Sequence, residues 1–251
     1  MQVMNELWEE MGYENLALTH MFENIEEASN FWKELWEKKG TWNKCASWLE
    51  GVKTAINQRV PAPFSENTFI LEREKAVKVI RKKRNWSAPG PDRITNFWWK
   101  RARSLQGVVK TFQAMTQGVQ EYPLWFSGGK TSLIPKPGEF ANDNQLLITC
   151  LNTLYKWFIS CLLKPMDHHL ETYALMKGEQ RGAERGSSGT IDNLLIDRMI
   201  TQDCHRGRRN LSMAWIDVKK AYDSVYHECL MEMMQVYRFP EWMVGVMHNL
   251  S

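Results

Sequence analysis

Two acids six residues apart, Asp217 and Asp223, bracket the aromatic Tyr222 and form the most chemically suggestive group in the chain. Asp217 follows the apolar run Leu211-Ser-Met-Ala-Trp-Ile216 and is followed by Val218. A run this short and rich in large side chains reads as a buried strand. A carboxylate at the end of such a strand costs several kcal/mol unless a cation or a metal ion pairs with it. Lys219 and Lys220 come next, on a strand-to-helix turn that aims them elsewhere. Two uses of Asp217 follow. It caps the next helix, a position that favours Asp. Or it holds divalent ions that activate a hydroxyl and neutralise a leaving group in an in-line displacement.

Other candidates lie upstream. Arg81-Lys-Lys-Arg84 ends a helix expected over 72–84, with Ala76, Val77 and Ile80 inward. Cations there complement the helix dipole, and they equally suit nucleic-acid phosphates. Lys136 ends a strand that precedes a Pro-Gly turn; it is either a solvated lysine or a phosphate ligand. The stretch Glu179-Gln-Arg-Gly-Ala-Glu-Arg-Gly-Ser-Ser-Gly-Thr190 feeds a helix over 191–201. Its backbone N–H groups and Arg181 suit a phosphate, and a loop capped by Ser188 or Thr190 is the plainer equivalent. Gly129-Lys-Thr131 is not a P-loop, because no Gly-x-x-x-x-Gly-Lys frame surrounds it. His168-His169 and Cys204-His205 lack partners at metal-ligand spacing.

The elements that position these groups are mostly helical. Ser29 is a cap candidate for a helix carrying Phe31, Trp32, Leu35 and Trp36, with Gly40 as its stop. Thr41 opens a second helix with Cys45, Leu49, Val52 and Ile56 on one side, ended by Pro61 and Pro63. Asn85-Trp-Ser-Ala-Pro-Gly-Pro-Asp-Arg-Ile94 is a fixed loop, since two prolines forbid helix there. A long helix is expected over 95–118, with Phe97, Trp98, Leu105, Val108, Val109, Phe112 and Met115 as its stripe. Lys130–Ile134 suits a strand. From Thr149 a further stripe runs through Cys150, Leu151, Leu154, Trp157, Phe158, Cys161 and Leu162 and ends near Pro165. Helices are expected again around 227–237 and 241–250.

At 251 residues, with twelve Trp and fourteen Met, the chain has ample material for a core and is not disordered. Its net charge of +3 names no partner, but the charge is unevenly spread. Residues 1–37 hold nine Glu against Lys33, whereas residues 73–110 are strongly basic. The five cysteines are scattered without a Cys-x-x-Cys pair, which argues for reduced intracellular thiols. The start has no signal peptide, and no apolar run is long enough for a membrane span. An intracellular chain is expected, in nucleus or cytoplasm.

Four motifs in order give the chain a family resemblance. Ile216-Asp-Val-Lys-Lys-Ala-Tyr-Asp223 resembles the first catalytic-carboxylate motif of reverse transcriptases of the non-LTR retrotransposon type. Ala88-Pro-Gly-Pro-Asp92 resembles the family's Lys-Ala-Pro-Gly-Pro-Asp-Gly loop in the fingers, with Ser87 for Lys and Arg93 for Gly. Leu133-Ile-Pro-Lys136 resembles the first fingers motif. Gln180–Ser188 resembles Gln-x-Gly-Phe-x-x-Gly-x-Ser, with Ala183 for Phe. The resemblance covers roughly residues 70–250.

It implies an RNA-directed DNA polymerase that takes dNTP, an RNA template and a DNA primer, with Mg²⁺ or Mn²⁺ as cofactor and no membrane. Asp217 would be the catalytic, metal-holding carboxylate, with Asp223 a structural acid beside it. Lys136 would approach the triphosphate and Tyr222 would lie under the sugar. Arg81, Lys82, Lys83, Arg84 and Arg181 would contact nucleic acid. The fold implied is α+β: fingers and partial palm of a right-hand polymerase, helix-rich, with a small incomplete antiparallel sheet. The expected division is an N-terminal helical extension over 1–63, a fingers-like region over 64–210 and the start of a palm over 211–251.

Two departures bear on activity. The family's Asn-Tyr-Arg-Pro-Ile corresponds to Asn144-Gln-Leu-Leu-Ile148, so Leu146 stands where a bidentate phosphate clamp is expected. No Asp-Asp pair occurs anywhere, and thirty-four residues follow Asp217. The expectation is therefore a C-terminally truncated polymerase that is inactive alone and presents exposed apolar surface. The alternative is a non-enzymatic nucleic-acid-binding remnant, or a decayed reading frame without selected function.

Overall fold

Asn152 and the helix behind it organise the chain, because they join the sheet, the proline loop and the core. In the computed structural model the described residues are 25–37, 42–61, 69–103, 105–135, 145–176, 182, 186–218, 221–222 and 225–250. Helix α1 spans Ile25–Trp36, α2 Ser47–Arg59, α3 Arg73–Lys82, α4 Asn96–Arg101 and α5 Leu105–Thr116. Strands β1 (Gly129–Pro135) and β2 (Gln145–Leu151) follow, then α6 (Thr153–Thr172), α7 (Thr190–Arg206), α8 (His227–Val236) and α9 (Glu241–Leu250). The chain is thus helix-rich with one small antiparallel sheet among the described residues, an α+β composition.

The sheet is a two-stranded hairpin in which Gly129 pairs with Leu151 and Pro135 with Gln145. Thr131 and Thr149 hydrogen-bond across it through their hydroxyls at 2.9 Å, a cross-strand pair that fixes register.

The core forms where α3, α5, α6 and α9 meet. Ala76 and Ile80 from α3, Val109, Phe112 and Met115 from α5, Trp157, Phe158, Cys161 and Leu162 from α6, and Val246 from α9 are all buried together. Phe112, Phe126, Trp157 and Phe158 pack edge to face with centroids 5.0–6.5 Å apart, a preferred aromatic geometry. Trp157 donates from Nε1 to Ala76 O at 2.9 Å, so the indole satisfies its one polar atom inside the core. Burial pushes the Cys161 thiol up to about 12 even though Lys83 pulls it down, which makes it an inert packing residue. A second cluster packs Ile56 and Val60 from α2 and its end against Leu175, beyond α6. Arg238 ties this end together, donating to Asn57 Oδ1 at 2.6 Å and to Val60 O.

Several element bounds differ from the sequence expectation. The helix expected over 95–118 is two helices, α4 and α5, interrupted after Arg101 where Ala102 takes an extended conformation. The break turns Trp99 inward, where its Nε1 donates to Thr153 Oγ1 at 2.8 Å, while Trp98 of the expected stripe is exposed. Helix α1 begins before Ser29, which therefore lies inside it, and α2 begins six residues after Thr41. Helix α6 runs through Pro165 to Thr172. A mid-helix proline costs about 3 kcal/mol, and the turn beyond it buries His169 against Phe239, with Nε2 2.9 Å from Tyr237 O.

The largest difference concerns residues 211–218, expected as a buried strand. They form no regular element and are exposed throughout: Trp215 is 74% and Ile216 89% accessible. A strand needs a neighbour to satisfy its N–H and C=O groups. No described residue pairs with this stretch, since the sheet consists of β1 and β2 alone among the described residues.

Candidate nucleic-acid interface and acidic site

The proline loop is built around a close backbone approach. A Cβ on Gly90 would lie 2.3 Å from Asn152 Oδ1, 2.4 Å from Asn152 N and 2.7 Å from Leu151 C. Gly90 therefore rests on the junction of β2 and α6, where only glycine fits. Asn152 is buried and spends its carboxamide on both sides, accepting from Asp92 N at 3.3 Å and donating to Trp125 O at 2.7 Å. Asp92 in turn accepts from Ile94 N at 3.0 Å, a local Asx turn. The loop is thereby fixed to the strand that carries Leu146 and to the start of α6.

Arg93 follows with φ of 56°, the left-handed region that a glycine would occupy without strain. Replacing Arg93 with Gly is expected to raise stability by about 0.5–1 kcal/mol, the relief of the Cβ penalty less the added freedom of the unfolded chain. Thermal unfolding of the two proteins side by side reads this directly. An unchanged or lower midpoint would show that the arginine side chain contributes more than its backbone costs.

The four cations ending α3 do not act alike. Lys83 is half-buried and donates to Ser160 Oγ at 2.6 Å, so it braces α3 against α6. Lys100 caps the same helix end, donating to Lys83 O at 2.5 Å and to Asn85 Oδ1 at 2.7 Å. Arg81, Lys82 and Arg84 are exposed. Arg81 and Lys82 line a hollow of about 480 Å³ with Arg73 and Lys78, and Glu74 is the acid among its described lining residues.

Just beyond lies an arrangement that periodicity obscured. Trp86 stacks on Phe97 with centroids 4.7 Å apart and planes 19° from parallel. Phe97 meets Trp98 edge to face at 5.3 Å, and the Arg101 guanidinium carbon sits 3.9 Å above the Phe97 ring. Phe97 and Trp98 look like core-stripe residues in sequence. The signal that could have separated them is the run Phe97-Trp-Trp99, because three successive aromatics cannot all face one side of a helix.

The acidic site is less assembled. Asp217 is exposed and Tyr222 is 95% accessible, with neither in a regular element. Asp223, Lys136 and Arg181 lie outside the described residues. Among the described residues no three His, Cys, Asp or Glu side chains gather into a cation-sized group. Among the described residues Asp217 therefore has too little acidic company to hold a divalent ion.

At the glycine-rich segment, Asp192 at the third position of α7 reaches back to accept from Ser188 N at 3.1 Å and Ser187 Oγ at 3.4 Å. Asp192 thereby ties the loop ahead of α7 to its first turn, and neither Ser188 nor Thr190 caps the helix. Helix α7 buries none of its residues, and Ile191, Leu194, Leu195 and Met199 are all more than half exposed.

Comparison with known proteins adds a sequence relationship. No family model matches the chain. It is 29% identical over 151 residues, 59% of its length, to a Retrovirus-related Pol polyprotein from type-1 retrotransposable element R2 of Popillia japonica, covering 20% of that protein. It is 22% identical over 246 residues, 90% of its length, to the protein of the same description from Nasonia vitripennis, covering 23% of it. The chain spans about a fifth of the length of these curated relatives. No helix among the described residues is long and apolar enough to cross a membrane.

Proposed function

We propose, from a chain related to the Pol polyproteins of non-LTR retrotransposons, that it is the fingers and front palm of an RNA-directed DNA polymerase. The observation that carries this reading is the meeting of motifs far apart in sequence. The Ala-Pro-Gly-Pro-Asp loop sits through Gly90 on Asn152, immediately after β2, and β2 is the strand paired with the Leu-Ile-Pro strand β1. The residues after Pro135 and before Gln145, Lys136 among them, connect the paired strand ends.

In this reading Asp217 would hold Mg²⁺ or Mn²⁺ only together with further acids, and Tyr222 lies under the sugar. Arg81, Lys82, Arg84 and Arg181 meet the phosphates of an RNA template and DNA primer. Two-metal transfer needs several carboxylates to hold the two ions that clamp the attacking and leaving oxygens. The 251 residues hold no adjacent Asp pair to join Asp217, and Leu146 replaces the arginine clamp. This chain by itself therefore binds nucleic acid without extending a primer.

Primer extension on an RNA template with Mg²⁺ or Mn²⁺ tests the second half. No product is expected from the chain or from Asp217→Ala. Extension that disappears in Asp217→Ala would overturn inactivity and mean that a further acid completes the site. Binding of labelled RNA across a salt series tests the first half: log K should fall linearly with log salt, with a slope of roughly one per phosphate neutralised. Salt-independent or undetectable binding would remove the nucleic-acid reading.

A further inference from the structure

We propose that the exposed aromatic stair Trp86–Phe97–Trp98 is a stacking platform for unpaired bases, so that this face takes single-stranded nucleic acid in preference to duplex. The proposal rests on the nucleic-acid reading above and narrows its ligand.

Trp86 stacks flat on Phe97 yet remains 71% exposed, which leaves its second face open. Trp98, edge-on to Phe97, is 61% exposed. Two indoles held in fixed orientation and left in water on one loop–helix corner cost apolar exposure without contributing to the core. Their position is over-determined from below. Phe97 N donates to Asn85 O at 3.2 Å and Asn96 Nδ2 donates to Arg84 O at 2.9 Å, which joins the turn carrying Trp86 to the first turn of α4. The platform is therefore preorganised, and a base landing on it orders little else.

The charge around it selects the partner. Between Lys75 and Gln120 Asp92 is the one acid, and its carboxylate is turned to Ile94 N. Arg84, Arg93 and Arg101 flank the rings in sequence, and Arg101 lies over Phe97. A hydrophobic partner protein gains nothing from this cation excess, whereas a polynucleotide supplies a π-face for each exposed indole and phosphates for the cations around them. A duplex hides its base faces in the stack and offers phosphates alone, so the rings would discriminate between the two forms.

The test uses the full 251-residue chain with a fluorescein-labelled 12-mer RNA, either single-stranded or annealed to its complement, at several salt concentrations. The unmodified chain should bind the single strand more tightly than the duplex. Trp86→Ala with Trp98→Ala should weaken single-strand binding by roughly 5- to 150-fold per base lost from the platform. Duplex binding and the salt slope should be unchanged. Trp86→Phe with Trp98→Phe should restore most of the affinity, and far-UV circular dichroism should show every variant folded. Equal loss for single strand and duplex, or no loss in the alanine variant, would overturn the platform while the nucleic-acid reading stands. Absence of binding by the unmodified chain would overturn both. Self-association in sedimentation that the alanine variant abolishes, without a change in RNA affinity, would assign the rings to a second copy and overturn the proposal.

Discussion

Trp157→Ala should cost about 4–6 kcal/mol and leave a large unfolded population at room temperature. Trp157 is fully buried, and its ring packs against Phe112 at 5.2 Å. Truncating a buried aromatic to Ala typically costs 3–5 kcal/mol, because the lost transfer energy is joined by a cavity that neighbours fill incompletely. The Nε1 bond to Ala76 O disappears with it, adding about 1 kcal/mol. The sum approaches the whole stability of an ordinary domain, about 5–15 kcal/mol.

Chemical denaturation followed by far-UV circular dichroism reads the change, with two companions that separate its causes. Trp157→Phe keeps most of the ring volume and loses the hydrogen bond, so it should cost roughly half as much. Trp215→Ala removes an indole that is 74% exposed and should stay within about 0.5 kcal/mol of the parent. A Trp157→Ala effect no larger than that of Trp215→Ala would mean that α3, α5 and α6 do not share one core.

What sequence could and could not convey divides along physical lines. The stripe Leu154, Trp157, Phe158, Cys161 and Leu162 was legible because those residues bury at helical spacing on one element. The strand at Gly129–Pro135 was legible from its bounding Gly and Pro. The ends of α6 and α7 were not, whereas those of α8 and α9 were. Helices α6, α7 and α8 each finish with a left-handed residue that is not glycine, Ala174, Arg208 and Arg238, with φ of 47–53°. Leu175 N to Leu170 O, Arg209 N to Cys204 O and Phe239 N to Met234 O then close the last turns. Glycine is the usual sign of such a stop. With alanine and arginine in its place, Pro165 was the strongest visible breaker, and it is the wrong one.

The strand expected at Leu211–Val218 is absent for a different reason. An apolar run is a strand only in company, and Leu211–Val218 carries no information about its partner. Its composition foretold burial, and its surroundings leave it in water. The same dependence on neighbours hid the aromatic stair. Phe97 and Trp98 fit a buried stripe by spacing, and only the break at Ala102 rotates Trp99 inward in place of Trp98.

The proline loop shows the converse, a motif whose reason is visible only in three dimensions. Gly90→Ala should destabilise the protein by about 3 kcal/mol, at the upper end of what overpacking usually costs. The added methyl would meet Asn152 Oδ1 at 2.3 Å and the backbone of Leu151 and Asn152 at 2.4–2.7 Å. A flexible side chain can give way to such a contact, but a strand-to-helix junction cannot. The loop must lift, which breaks the Asp92 N to Asn152 Oδ1 bond and strands a buried carboxamide. Lifting the loop also loosens the Asn85–Phe97 clamp beneath Trp86, so single-strand RNA binding should weaken together with stability. Asn152→Ala separates the two effects: it opens space for a residue-90 methyl while removing the acceptor for Asp92. If the steric contact dominates, the double variant Gly90→Ala, Asn152→Ala should be clearly more stable than the sum of the single losses implies, although the clash with the Leu151 and Asn152 backbone keeps the rescue partial. Strict additivity in a thermal-unfolding cycle would show that the backbone of Leu151 and Asn152, and not the Asn152 carboxamide, excludes a side chain at Gly90.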